Sequence, residues 1–407
     1  MHEIAVGVLR RSQEIDELLA QFIARGINSV AAPLLDVLRV GTYQLRFLDR
    51  VPPHAAVTTT VALARELVNE RAAGFTNAVL RRVASVRAQP SAPVHVASPD
   101  LDSARGPAGA QGAGPLPPLH AASHPAWLVD RWLARFGADA TAALLEWNNT
   151  KPPLVLQPTR GSMANLKRML RENDVTCTAA PFGAGMVVAD SRPERIAGFD
   201  GGEFFVQDPA QALVVRFADF PSDAVAYDAC AAPGGKLLGL SYRTRHVIAA
   251  DRSRVRLQRV MENIGRAGRG AEYVVAADAA HPPIRPVRAY LLDAPCLGTG
   301  SFARHPDARL RVTLDALLQL AAAQRAMLDA AADRIVPGGV LCYATCSLEP
   351  EENELQVNEF LARHPGFSRQ PTRAVSPELL TPAGDLLILP QRDGIDGAFA
   401  ARLVRTA

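Results

Sequence analysis

The chain has 407 residues, 48% of them hydrophobic and 21% charged, and carries a net charge of +3. That length suits two or three domains of a globular protein, and no apolar run approaches the roughly 20 residues that a bilayer span needs. The start, MHEIAVGVLRRSQEID, lacks the unbroken apolar core of a signal peptide, and five cysteines in so long a chain make no disulfide framework.

Cytoplasm without a membrane partner is therefore the expectation. The one close cysteine spacing, Cys342-x3-Cys346, has no second pair to complete a zinc site, so no metal is expected. A net charge of +3 permits a nucleic-acid partner without demanding one. Of the basic residues 41 are Arg and three are Lys: Lys151, Lys167 and Lys236. Arg and Lys are not interchangeable at tight sites, so each Lys in so Arg-rich a chain is worth following.

Residues 1 to about 92 read as helices. IDELLAQFIARG and APLLDVLRVGTYQLRFL repeat apolar residues every three or four positions, PPHAAVTTTVALARELV starts after a Pro-Pro stop, and GFTNAVLRRVASVR ends in a basic turn. Residues 93–122 are crowded with Pro, Gly, Ala and Ser and predict a flexible linker. From 123 to 205 the pattern is mixed: two helices (PAWLVDRWLARFG, ATAALLEWNN), an apolar segment PPLVLQP, a basic helix MANLKRMLREN and a short strand GMVVAD. Trp127, Trp132 and Trp147 all fall here; they either stack on bases or anchor helix packing, and packing is preferred.

From about 206 strands and helices alternate: AVAYDAC, HVIAAD, EYVVAAD, AYLLDAP and GVLCYATCS, with helical segments expected between them, then DLLILPQ and AFAARLVR. Such alternation predicts a parallel sheet with helices on both faces, whose ligands bind at the carboxyl ends of the strands. Asp228, Asp251, Asp278, Asp293 and Cys346 fall at those ends. The turn after the first strand, YDACAAPGGK, brings Gly234 and Gly235 to that edge, where a backbone without side chains can approach a ligand closely. It lacks the spacing of a dinucleotide or P-loop fingerprint. Asp251 stands where a carboxylate grips ribose hydroxyls, and Asp278 can receive an adenine amino group. The alternative is that these aspartates only cap helices. A nucleoside without a pyrophosphate fingerprint suggests S-adenosylmethionine.

Three stretches, DACAAPGGK, DAPCLGTGSFARHPD and YATCSLEPEEN, closely resemble signature motifs of the RNA cytosine-5 methyltransferases, and FFVQDPAQALVV upstream is similar too. The helical start, with LRVGTYQLRFLDRVPPHAAV and AGFTNAVLRRV, resembles a NusB-like RNA-binding domain. The pairing points to the Sun/RsmB family, which modifies small-subunit ribosomal RNA. The resemblance implies a Rossmann-like S-adenosylmethionine-dependent methyltransferase domain over 206–407, an α+β RNA-binding subdomain over 123–205 and an all-α NusB-like domain over 1–92. It also implies 16S ribosomal RNA as partner, no DNA, and a monomer. EIAVGVLRR resembles the middle of a NusB-like domain, so that domain is expected to be shortened at its start.

The chemistry so implied needs two cysteines. Cytosine C5 is a poor nucleophile until a thiolate adds to C6 and makes C5 enamine-like; removal of the C5 proton after methylation then expels the thiol. On matching positions the resemblance makes Cys346 the nucleophile and gives Cys296 the breakdown of the adduct. Asp293 holds the cytosine edge beside the cofactor. Cys230, Ala231, Ala232, Pro233, Gly234, Gly235 and Lys236 form the cofactor turn, with Asp251 on the ribose and Asp278 on the adenine. Cys177 and Cys342 belong to no motif and are expected to be packed thiols. Arg304, Arg309 and Arg311 either contact phosphates or form a solvated charged loop. Leu237, Leu238, Leu297, Leu310 and Ala398 depart from residues common in the family. Two rival readings are the same chemistry on transfer RNA or another ribosomal site, and an RNA-binding assembly or antitermination factor with an idle catalytic domain.

Overall fold

A computed structural model describes residues 2–85, 123–159, 161–189 and 192–406. The expected linker, 93–122, lies outside the described residues. The chain divides into two compact units, Met1–Thr150 with His305–Leu310, and Lys151–Arg304 with Arg311–Ala407.

The first unit is helical: α1 (His2–Ala20), α2 (Ala32–Phe47), α3 (Pro53–Leu67), α4 (Glu70–Ser85), α5 (Ala126–Phe136) and α6 (Ala138–Asn149). Prolines stand in the first turns of α2 and α3, where the missing amide hydrogen costs nothing. The apolar periodicity becomes a core of Ile15 and Leu19 from α1, Leu38 and Tyr43 from α2, and Val79, Leu80 and Val83 from α4. Gly137, at a φ of 79°, ends α5 and lets α6 start in a new direction. Trp132 is fully buried, edge-on to His124, as expected of a packing anchor; Trp127 and Trp147 are half-buried.

The second unit contains two sheets. The smaller is antiparallel in the order β2-β3-β1-β4, from β1 (Leu154–Pro158), β2 (Cys177–Ala179), β3 (Met186–Val188) and β4 (Phe204–Val206). The helix α7 (Met163–Glu172), capped by Ser162, lays Leu166 and Leu170 on it beside Leu156, Met186 and Phe204. Strands β2 and β4, of three residues each, were not expected. They are too short to carry an alternating pattern.

The larger sheet orders its strands β10-β12-β9-β8-β5-β6-β7, with β11 paired to β12. Strands β5 (Val225–Asp228), β6 (His246–Asp251), β7 (Tyr273–Ala276), β8 (Val287–Asp293) and β9 (Ile335–Thr345) are parallel. β12 (Ala398–Arg405) runs antiparallel to β9 and pairs with β10 (Phe367–Arg369) and β11 (Leu386–Ile388). Among the described residues six helices precede or connect these strands: α8 (Pro209–Ala218), α9 (Gly235–Ser241), α10 (Arg254–Ala267), α11 (Leu314–Ala332), α12 (Glu354–Arg363) between β9 and β10, and the short α13 (Pro390–Asp393) between β11 and β12. The expected Rossmann-like α/β sheet is present, with one correction. No helix joins β7 to β8; Pro282, Pro283 and Pro286 occupy that connection and remove the amides a helix would use. The chain winds from β5 outward to β7, then returns to β8 on the other side of β5. The reversal makes the carboxyl edge of β5 and β8 the topological switch point, where ligands bind in open sheets of this kind. Among the described residues no helix is long and apolar enough to cross a membrane.

Candidate active site

Cys296 lies three residues beyond the end of β8 and Cys346 one residue beyond the end of the neighbouring β9. Parallel pairing in register, Asp293 opposite Ala344, brings both turns to one edge, and the two Sγ atoms stand 3.4 Å apart. The turns are also knit by backbone. Gly300 N–H donates to the Cys346 carbonyl at 2.9 Å, and Gly397 N–H to the Gly300 carbonyl at 2.7 Å. A Cβ on Gly300 would lie 2.8 Å from Gly397 Cα and 2.9 Å from the Cys346 oxygen, so no other residue fits between these chains without moving one of them.

The two thiols are not equivalent. The hydrogen bond from Cys296 pulls the Cys346 thiol below the ordinary cysteine value against the cost of burial. The same bond, then burial, holds the Cys296 thiol well above it. Cys346 is thus the easier of the pair to ionise, and a nucleophilic cysteine needs the thiolate. Lys236 Nζ, from the first turn of α9, bonds Asp293 Oδ2 at 2.6 Å. Burial opposes the lysine's charge, but Asp293 more than compensates and raises its ionisation above the ordinary lysine value. This ammonium also favours the Cys346 thiolate, which Asp293 disfavours.

The turn from Cys230 to Lys236 runs along the same edge. Gly234 has a φ of 110°, which other residues rarely adopt, and a Cβ on Gly235 would sit 3.2 Å from Gln207 Nε2. Asp251, buried at the end of β6, accepts from Ser253 N–H at 2.8 Å and faces Arg256 at 3.1 Å. Asp278, two residues past β7, accepts from Ala280 N–H at 2.9 Å. Each aspartate closes a turn of its own loop, and neither caps a helix as the alternative had it: Ser253 caps α10, and no helix joins β7 to β8. Asp228, at the end of β5, is 1% exposed, and neither carboxylate oxygen has a hydrogen-bond partner among the described residues. Burial, then the charge of Asp293, pushes its carboxyl up to about 7. Orphaned buried acceptors beside a glycine turn and strand-end carboxylates fit a ligand with amino and hydroxyl donors.

Other cysteines fall out of contention as nucleophiles. Cys230 is held protonated by burial and by Asp228. Cys342 is fully buried and its thiol is pushed up to about 12. Cys177 packs at the edge of the small sheet's core. The reading of the arginines requires correction. Arg304 is spanned by Asp208 Oδ2 at 2.6 Å and Asp396 Oδ2 at 2.8 Å, and Arg309, 3% exposed, bonds Asn149 Oδ1 at 2.7 Å and the Asn148 carbonyl. Both guanidinium groups are committed to protein partners; Arg311 is exposed. Leu237, Leu238, Leu297 and Ala398 are core residues, and Leu310 is exposed. The sequence assigns nothing to Asp208 and Asp396, which hold Arg304 from 96 and 92 positions away, or to Gln324 and Glu352, which bond each other across 28 positions.

Comparison with known proteins agrees along the chain. The model of the family described as 16S rRNA methyltransferase RsmB/F matches residues 218–404, that of the NusB family residues 1–85, and that of the RsmF/B-like ferredoxin-like domain residues 124–192. Ribosomal RNA small subunit methyltransferase B of Pseudomonas putida is 34% identical over 416 aligned residues, covering 100% of this chain and 90% of that protein. Its probable counterpart in Synechocystis is 32% identical, covering 98% and 90%. Among solved structures, a methyltransferase homolog protein from Pyrococcus horikoshii superposes with a TM-score of 0.61 at 21% identity. It covers 71% of this chain and 100% of that one, and the likeness is one of fold.

Proposed function

Because the chain belongs to the RsmB/F family of 16S rRNA methyltransferases and is thereby an RNA methyltransferase, we propose that it transfers a methyl group from S-adenosylmethionine to C5 of a cytosine in 16S ribosomal RNA through a covalent bond between Cys346 and C6. The observation that carries this reading is the pair of motif cysteines, 3.4 Å apart at the switch point of the sheet, with the Cys346 thiol lowered and the Cys296 thiol raised.

The residues divide the work as follows. Cys346 attacks C6 as the thiolate, with Cys296 donating a hydrogen bond to it and the Lys236 ammonium nearby. Asp293, held by Lys236, presents its remaining oxygen to the amino and N3 edge of the base. Addition at C6 makes C5 nucleophilic. S-adenosylmethionine, held by the turn from Cys230 to Lys236, Asp251 on the ribose and Asp278 on the adenine, supplies an electrophilic methyl. Cys296 then serves the breakdown step: the C5 proton passes to a water molecule, the electron pair of the C–H bond re-forms the C5–C6 double bond and expels the Cys346 thiolate, and the Cys296 thiol donates a hydrogen bond to the departing sulfur. The base reaches this edge only if it is unpaired or flipped from its stack. We assign residues 1–92 and 123–205 to placing the RNA and 206–407 to catalysis, in the cytoplasm.

The test is incubation with labelled S-adenosylmethionine and either 16S ribosomal RNA or transfer RNA, followed by nucleoside analysis. Label in 5-methylcytidine from 16S RNA is the expected result. Label confined to transfer RNA, or none in either, overturns the substrate or the activity respectively.

A further inference from the structure

Glu352 belongs to the run SLEPEEN after Cys346, a stretch that offers three glutamates to solvent by sequence. In the fold it is 0% exposed. Its carboxylate reaches back 55 positions to the residue after Cys296, accepting from Leu297 N–H at 3.0 Å through Oε1 and 3.3 Å through Oε2. Gln324, buried on α11, donates to the same Oε1 at 3.0 Å and to the carbonyl of Pro295 at 2.9 Å. Both residues flanking Cys296 are thus gripped by side chains from outside their own loop. The grip is tied to the other cysteine's strand: the Tyr343 hydroxyl donates to the Glu352 carbonyl at 2.6 Å and lies 3.2 Å from Gln324 Oε1. Tyr343 is three residues before Cys346 on β9.

The energetics make this grip costly as mere architecture. No ion pair to Glu352 occurs among the described residues, and burial pushes its carboxyl up to about 7, offset in part by its hydrogen bonds to Ser347, Leu297 and Gln324. A buried carboxylate without a counter-cation costs several kcal/mol, and an apolar side chain of similar size would hold two loops together at less expense. An apolar residue could not, however, fix the direction of a backbone amide.

We propose that Glu352 is a positioning residue of the methyl transfer: its buried carboxylate fixes the Leu297 amide, and through it sets Cys296 Sγ against Cys346 for breakdown of the covalent intermediate. The proposal rests on the two-cysteine reading above. Its charge acts in the same place, because Glu352 adds to the forces that raise the Cys296 thiol. Cys346, Tyr343 and Glu349 are the other titratable groups facing this pair.

The test uses the full chain with S-adenosylmethionine and 16S ribosomal RNA, comparing Glu352→Ala, Glu352→Gln and Cys296→Ser for turnover and for a covalent RNA complex on denaturing gels. Glu352→Ala lowers turnover about a hundredfold, as displacement of a working group by an ångström can, and accumulates the complex as Cys296→Ser does. Glu352→Gln keeps an acceptor for the amide and stays within about tenfold of wild type. In Glu352→Gln the alkaline limb of the turnover profile moves to lower pH, since the negative charge that raises the Cys296 thiol is gone. This arm stands even where Glu352→Ala loses its cooperative melt. A complex in Cys296→Ser with none in a folded Glu352→Ala, or an unmoved limb in Glu352→Gln, overturns the positioning role alone. No complex in Cys296→Ser overturns the two-cysteine reading and the proposal with it.

Discussion

The two units bury charges of opposite sign. Among the described residues, the buried carboxylates (Asp208, Asp228, Asp251, Glu349, Glu352, Asp385 and Asp396) all lie in the second unit, whereas the charged residues buried in the first are Arg10 and Arg309. The helical unit keeps its acids in partly or fully exposed pairs such as Arg39 with Asp16 and Arg65 with Glu70, which add little to stability. The core of the helical unit forms without a buried carboxylate among the described residues, so their concentration in the second unit calls for another reason. Asp228 and Asp251 border the glycine turn and Glu352 holds the loop of Cys296, whereas Asp208 and Asp396 pair across Arg304 and Asp385 pairs with Arg369. Both units bury charge, but Asp228 and Glu352, which have no ion-pair partner among the described residues, stand at the edge where the motifs converge.

The strongest way to break this contrast is to remove the nucleophile. Cys346→Ala is expected to lower methyl transfer to 16S RNA by about 10⁴-fold or more, as loss of a covalent nucleophile does. S-adenosylmethionine should still bind in calorimetry, because the glycine turn lies on other elements. Activity within about tenfold of wild type would remove Cys346 from the mechanism.

Next in size is the cost of Asp228. Its carboxyl titrates at about 7 in the fold against an ordinary 3.8, so between those values the native state holds a proton that the unfolded chain has lost. Its contribution to stability is full below the lower value and disappears as pH rises through the higher one. Asp228→Asn should therefore stabilise the cofactor-free protein at pH above about 8 by on the order of 4 kcal/mol, with the gain fading toward about pH 4. Thermal melts at both pH values check it; an equal change at each would contradict the argument.

Asp251→Ala should weaken S-adenosylmethionine binding by about 1–3 kcal/mol, the cost of leaving buried hydroxyl partners unpaired. An unchanged dissociation constant in calorimetry would leave Asp251 a turn cap. The smallest effect is expected in the helical unit. Arg71, Arg81 and Arg82 are exposed on α4, and changing all three to Gln should reduce the salt slope of RNA binding by about 2–3 while cofactor binding stays as it was. An untouched slope would separate that helix from the RNA.

What could be read ahead of the structure differs between the regions for a physical reason. The helices declared themselves because amphipathic spacing is local, and the cysteine pair because both cysteines lie at strand ends inside motifs that resemble a family's signatures. Three-residue strands such as Cys177–Ala179 carry no period to read. Between Ala276 and Val287 three prolines exclude the helix that regular alternation predicts. The clamp of Glu352 and the bridge Asp208–Arg304–Asp396 join residues far apart in sequence. Nothing local says which of Glu349, Glu351 and Glu352 turns inward to reach Leu297. Similarly, RHPDARLR reads either as a phosphate-binding or as a solvated charged loop until the fold supplies Arg304 and Arg309 with partners.

The division of labour between the two cysteines is the claim on which the rest depends, and one measurement addresses it directly. Cys296→Ser protein is mixed with 16S RNA and S-adenosylmethionine, denatured, and examined by gel and intact mass for a covalent protein–RNA complex. The account predicts a complex that requires the cofactor and vanishes in the Cys296→Ser, Cys346→Ala double mutant, because Cys346 forms the bond and Cys296 is needed to release it. A complex that persists in the double mutant would contradict it.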